Sequence, residues 1–127
     1  MQGLPGKWRD SYAGIVYTGK FQFWADGSWR CDYRIGKTDD RIWLLTPDIG
    51  WGCADFKAAY SGRFIDTGIA EQCVVGVSAG LALEGSIPFI IGMMPFMSMR
   101  DLEQVRTDLC YQNLPVRIIA NYSGVDR

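Results

Sequence analysis

The sequence predicts an α/β fold, a three-layer sandwich in which a mainly parallel sheet carries helices on both faces. Two observations predict it. Four short apolar runs, Ile42 to Thr46, Arg63 to Asp66, Ile87 to Ile91 and Val116 to Ala120, alternate with stretches of helical character. Strands that are apolar throughout are buried on both faces, which is the condition of a parallel sheet layered between helices. The second observation is where the turn-forming and polar residues fall. Asp48-Ile49-Gly50, Thr67-Gly68 and Met94-Pro95-Phe96 each follow a run at its carboxyl end, the edge at which ligands of such sheets bind.

Residues 1–38 stand apart from this pattern. Tyr12 to Tyr17 and Phe21 to Trp24 are aromatic and β-branched, and Asp26-Gly27 ahead of Ser28 to Tyr33 is a turn signal, so the segment reads as a small β-hairpin. The α/β pattern becomes regular from Arg41. After the first strand, Ala54 to Tyr60 reads as a short helix leading to the strand at Phe64. Thr67-Gly68 then turns the chain into a central helix whose first turn carries Glu71. Val74, Val75, Val77, Ala79, Leu81, Ala82 and Leu83 leave that helix almost no polar face, so it is expected to be buried on nearly all sides. Gly76, Ser78, Ala79 and Gly80 are small enough for close approach by a neighbour. Beyond the third strand, Gly92 to Pro95 reads as a loop. Met99 to Tyr111 reads as a helix with Leu102, Val105, Leu109 and Cys110 on its inward face. A sheet of four strands in so short a chain buries little surface and leaves an open edge, which implies a partner or a truncation.

Composition narrows the function classes. The chain has 127 residues, 48% of them hydrophobic and 21% charged, the profile of one globular domain. A net charge of −1 gives no footprint for nucleic acid or an anionic membrane. The apolar run around Ile87 to Met97 holds two prolines and a glycine and is too short to span a bilayer. Met1 to Arg9 lacks the pattern of a signal peptide, and a cytoplasmic location is expected. Cys31, Cys53, Cys73 and Cys110 are widely spaced, so buried thiols are expected and a metal site is not. The chain contains no histidine. Ser-His and Cys-His catalysis are thereby excluded, and acid–base chemistry falls to carboxylates, lysine, tyrosine or a cofactor.

Glu71 has two readings on its residues alone. The unpaired N–H groups of a helix first turn favour an anion there by about 0.3–1 kcal/mol. Alternatively, burial raises its pKa so that it holds or shares a proton with a ligand nitrogen near neutral pH.

The segment FIDTGIAEQ, the small-residue helix ending GLALEG, then IPFIIGMMPF and LEQVRTDLCYQNLPVRII, together resemble the pyrimidine-binding domain of transketolase-type thiamine diphosphate enzymes. The ordered blocks run from about Asp39 to Ala120, roughly two-thirds of the chain. The resemblance is to the C-terminal half or subunit of such enzymes, and it implies that residues 39–127 are a partial pyrimidine-binding domain. It implies Glu71 as the catalytic carboxyl, set against the N1′ nitrogen of the cofactor's aminopyrimidine ring. Phe96 would stack on that ring, its other reading being a core phenylalanine. Asp48, with Ile49 beside it as apolar packing, would lie near the cofactor; its other reading is a cap or a loop turn. Arg100 and Arg106 read as solvated helix charges, with contact to a phosphorylated sugar as the alternative.

The resemblance also implies what this chain does not supply. The Gly-Asp-Gly stretch and asparagine that hold diphosphate and magnesium are absent, as are the Gly-x-Thr-His type segment and the third domain. Thiamine diphosphate and its Mg2+ would therefore need a diphosphate-binding transketolase subunit as partner, in a homo- or hetero-oligomer that transfers a two-carbon ketol unit between sugar phosphates. In the family this place is held by an amphipathic helix leading into the first strand, a pattern that residues 1–38 lack; they read as a replaced N-terminus, a fused exon or reading-frame remnant, or an accessory element. A non-catalytic, truncated derivative acting as a structural partner is the rival reading.

Overall fold

The computed structural model describes residues 21–23, 29–31 and 34–121. Two short strands, β1 (Phe21–Phe23) and β2 (Trp29–Cys31), pair antiparallel with Phe21 opposite Cys31. The expected hairpin turn at Asp26-Gly27 and the run Tyr12 to Tyr17 lie outside the described residues.

A one-turn helix, α1 (Ile35–Thr38), leads into β3 (Ile42–Thr46), the first strand of the main sheet. A 3₁₀ turn and α2 (Ala54–Ala59) connect it to β4 (Phe64–Asp66); α3 (Glu71–Leu83) then leads to β5 (Ile87–Met93). The last strand is β6 (Arg117–Asn121). The sheet order is β4-β3-β5-β6 and every neighbouring pair is parallel. Leu44 lies opposite both Phe64 and Phe89, and Phe89 opposite Arg117.

The strands are buried on both sides, as their continuous apolar runs require. Ile42, Leu44, Phe89 and Ile91 point into one core with Ile35, Cys53 and Phe56. Leu45 and Ile90, one residue out of phase, point into the other with Val74, Val75, Ala79, Met97 and Leu109. The period of two along each strand thus splits one apolar run between two cores, each fully buried Leu or Ile contributing about 1.5–3 kcal/mol. Arg63 secures the amino edge, donating to the carbonyls of Gly36, Asp39 and Ile42 with its guanidinium 4.4 Å from the Tyr60 ring centre. Gly36 is required there, because a Cβ would come within 2.5 Å of the Tyr60 ring.

Three expectations need correction. The central helix α3 is not enclosed. Glu71, Val74, Val75, Ser78, Ala79 and Ala82 are buried, while Gln72, Cys73, Gly76, Gly80 and Leu83 are exposed along the opposite side. Its small and apolar residues are spread around the helix, so composition could not show which side faces the sheet. No loop spans Gly92 to Pro95: β5 continues to Met93 and α4 (Met94–Met99) starts at once, with Pro95 in its first turn where a missing N–H costs nothing. Finally, the helix expected over Met99 to Tyr111 is divided. α5 (Leu102–Gln104) passes into a π-helical stretch, Val105–Cys110, with i→i+5 bonds such as Tyr111 N–H to the Arg106 carbonyl at 2.9 Å. Wider turns shift the phase of the side chains. Leu109 is buried and Val105 half-buried, but Leu102 and Cys110 are exposed.

Among the described residues no helix is long and apolar enough to cross a membrane.

Candidate functional site

The carboxyl ends of β3, β4 and β5 lie side by side, and the three candidate segments follow from them. After β3, Asp48 takes a left-handed conformation, φ 66°, which aspartate tolerates in tight turns. Its N–H donates to Asp66 Oδ1 at 3.1 Å, and the Gly68 N–H donates to the same oxygen at 3.0 Å. Asp66, at the end of β4, therefore holds two loops together. The Ile49 N–H donates to Thr46 Oγ1 at 3.1 Å, and the half-buried Ile49 side chain packs on the first core. Asp48 itself is exposed.

From β4 the chain passes Gly68, also left-handed at φ 67°, and enters α3 at Glu71. Ala70 precedes the helix and offers no capping side chain, so Glu71 is the acid that the first-turn N–H groups and the helix dipole see. Only 2% of Glu71 is exposed. It is not an isolated acid, for Arg100 Nη1 lies 2.8 Å from its Oε2. Among the described residues Oε1 takes no hydrogen bond, leaving one carboxylate oxygen for another donor.

Arg100 follows α4, four residues after Phe96, and that spacing places the two side chains on one helix face. The guanidinium lies 4.5 Å from the centre of the Phe96 ring, within cation–π range, and Phe96 is 37% exposed. The position of α4 depends on Gly92. A Cβ there would come within 2.6 Å of Met97 Sδ, so glycine lets buried Met97 close over the end of β5.

The structure thus joins Glu71 and Phe96 through Arg100, while Asp48 and Ile49 attach to Asp66 and Thr46 in the adjoining loop. Arg100, read from the sequence as a solvated helix charge, instead pairs with Glu71 and lies over the Phe96 ring. Its signal was the i, i+4 spacing from Phe96, hidden by the expectation of a loop through Met94 to Phe96. Asp66 was read only as a strand end. A buried carboxylate with one open oxygen, beside a partly exposed aromatic ring, can take a flat nitrogen-containing ring by a hydrogen bond and stacking. Among the described residues no group of three or more Cys, Asp or Glu side chains is placed to hold a metal ion.

Residues 24–126 match the family model described as the transketolase pyrimidine binding domain. The chain belongs to this family. The chain is also similar to several 1-deoxy-D-xylulose-5-phosphate synthases. The enzyme of that name from Clostridium perfringens is 40% identical over 95 residues, covering 72% of this chain and 15% of that protein. 1-Deoxy-D-xylulose-5-phosphate synthase 1 of Geobacter metallireducens is 43% identical over 95 residues, with the same coverage of each. A solved structure described as "Split gene transketolase, inactive beta4 tetramer" matches with a TM-score of 0.64 and 37% identity, over 69% of this chain and 30% of that one. This transketolase-type chain therefore spans about 15% of the length of these curated relatives.

Proposed function

We propose that this chain is the pyrimidine-binding part of a transketolase-like enzyme and that it works with a diphosphate-binding chain. The observation that carries the reading is Glu71, a buried carboxylate at the carboxyl edge of the sheet with Oε2 held by Arg100 and, among the described residues, no hydrogen bond to Oε1. Thiamine diphosphate, when bound, supplies the carbanion chemistry by which a two-carbon ketol unit moves between sugar phosphates.

The residues present fit the aminopyrimidine half of that cofactor. Glu71 Oε1 would meet the N1′ nitrogen and hold or release the proton there, Arg100 fixing the carboxylate so that a single oxygen faces the ring. Phe96 would stack on the ring through the face that Arg100 leaves open, and Arg100 would limit how far the ring slides. Asp48 and Ile49, placed by Asp66 and Thr46, would close the rim of the same edge. Only 2% of Glu71 is exposed, so little water would compete with a ligand there. The diphosphate and its Mg2+ would be held by the partner, in a homo- or hetero-oligomer in the cytoplasm.

One observation favours a second reading. The solved relative is described as an inactive β4 tetramer, so a chain of this type assembling without catalysis, as a structural partner, is the alternative.

Capture of the tagged chain from its source cells, followed by mass spectrometry and a thiochrome assay, separates the two. A transketolase-type diphosphate-binding chain captured together with thiamine diphosphate is the expected result. Assemblies of this chain alone, without cofactor, would favour the structural role.

A further inference from the structure

β3 and β4 finish on a register pair, Thr46 and Asp66, and the two loops of the carboxyl edge follow from them. Each loop contains a residue in the left-handed region, Asp48 at φ 66° and Gly68 at φ 67°. Glycine takes that conformation freely, whereas a residue with a side chain keeps it only where its surroundings hold it. The N–H groups of both converge on one atom. Asp66 Oδ1 accepts from Asp48 at 3.1 Å and from Gly68 at 3.0 Å.

The two bonds differ in reach. The one to Gly68 closes a local turn of two residues, an arrangement open to any aspartate. The one to Asp48 spans 18 residues and joins the loop after β3 to the loop after β4. Thr46 supports the same junction: its carbonyl accepts from the Thr67 N–H at 3.0 Å and its Oγ1 from the Ile49 N–H at 3.1 Å. Asp66 Oδ2 faces Gly50, where a Cβ would stand 3.4 Å from it. From Gly68 the bonds continue into α3. The Gly68 carbonyl accepts from the Ala70 N–H at 2.7 Å, and the Ala70 carbonyl from the Val74 N–H at 3.0 Å, closing the helix turn that Glu71 begins. Asp66 is exposed, so it is the convergence of two charge-assisted bonds on one oxygen, rather than burial, that favours this clamp.

We propose that Asp66 is a positioning residue: its Oδ1 sets the spacing between the Asp48–Ile49 loop and the first turn of α3, so that the edge in front of Glu71 is ordered before a ligand arrives. That the ligand is the aminopyrimidine ring of thiamine diphosphate rests on the function proposed above. The coupling of the two loops does not.

Amide hydrogen exchange of the full chain, read by NMR, tests the coupling. In Asp66→Ala the Asp48 and Gly68 amides are expected to exchange about tenfold faster, both together, while Ile90, buried in β5, is unchanged. Asp66→Asn keeps an oxygen acceptor and is expected to retain most of the protection. The second readout is cofactor affinity in the proposed complex with a transketolase-type diphosphate-binding chain. A loop ordered in advance lowers the cost of binding. Asp66→Ala should therefore raise the Kd for thiamine diphosphate about tenfold and leave turnover at saturating cofactor within about twofold, with Asp66→Asn close to wild type. Faster exchange at Gly68 alone, or a uniform loss that includes Ile90, overturns the proposal, as does a Kd unchanged by Asp66→Ala. A wild-type complex that binds no thiamine diphosphate would remove the cofactor reading instead, and the amide data would still decide whether Asp66 couples the loops.

Discussion

Arg100 Nη1 and Glu71 Oε2 are 2.8 Å apart, tying the end of α4 to the first turn of α3 across the carboxyl edge of the sheet. Glu71 is almost fully buried in this pair whereas the Arg100 side chain is 45% exposed, so the two partners are not equivalent. Removing Arg100 strands a buried anion; removing Glu71 releases a cation to water. Arg100→Met is therefore expected to destabilise the chain by about 1–3 kcal/mol, and Arg100→Lys by less. Denaturant unfolding checks this, and equal stability of wild type and Arg100→Met would contradict it.

Gly92 fixes where α4 begins. Gly92→Ala forces a methyl group against buried Met97, and the expected cost is about 1–3 kcal/mol. Because Phe96 and Arg100 ride on the same helix, the variant should also weaken cofactor retention in the proposed complex, if Phe96 stacks on the cofactor as proposed. A double variant, Gly92→Ala with Met97→Ala, should recover part of the stability if the clash is the cause.

The cysteines divide by burial. Cys53 is buried, and desolvation, aided by the negative charge of Asp66, pushes its thiol up to about 12. Cys73 and Cys110 are exposed. Alkylation of the folded chain followed by peptide mass spectrometry should find Cys73 and Cys110 modified and Cys53 modified only after unfolding.

Two aspartates make stability depend on pH in opposite directions. Burial raises the Asp101 carboxyl in the folded chain, so that contribution to stability is complete below about pH 4, where the unfolded aspartate is protonated too. As pH rises above about 4, the unfolded chain gives up its proton first and this stability is lost, at up to about 1.4 kcal/mol per pH unit, until the folded group ionises. Asp39 slopes the other way. Hydrogen bonds from the Arg41 side chain and backbone lower it to about 2, so its contribution is lost as pH falls from about 4 towards 2. The difference between the stability curves of wild type and Asp101→Asn isolates Asp101, and a pH-independent difference would contradict the raised carboxyl.

The legible part of the fold was the part set by local pattern. The runs at Ile42, Phe64, Ile87 and Val116 became β3 to β6 because continuous apolar strands have few places to go other than a sheet covered on both faces. The place of Glu71 in the first turn of α3 was legible because a lone acid at the mouth of an apolar helix stands out. The ion pair was not, since 29 residues separate its partners and only the crossover of β5 between α3 and α4 brings them together. The exposed side of α3 was illegible for a different reason: a helix built from Val, Ala and Gly carries no polar stripe to mark its outer face. The π-helical turns after Gln104 upset the placement of Leu102 and Cys110 because a 3.6-residue period does not describe them.

The most direct test of the central claim compares wild type with Glu71→Gln in the proposed complex, reconstituted from this chain and a transketolase-type diphosphate-binding chain, measuring turnover and bound thiamine diphosphate together. Loss of proton transfer at a carboxyl in contact with the cofactor predicts a fall in turnover of about 10²–10⁴-fold with the assembly intact. A Glu71→Gln complex that turns over like wild type would contradict the assignment of Glu71.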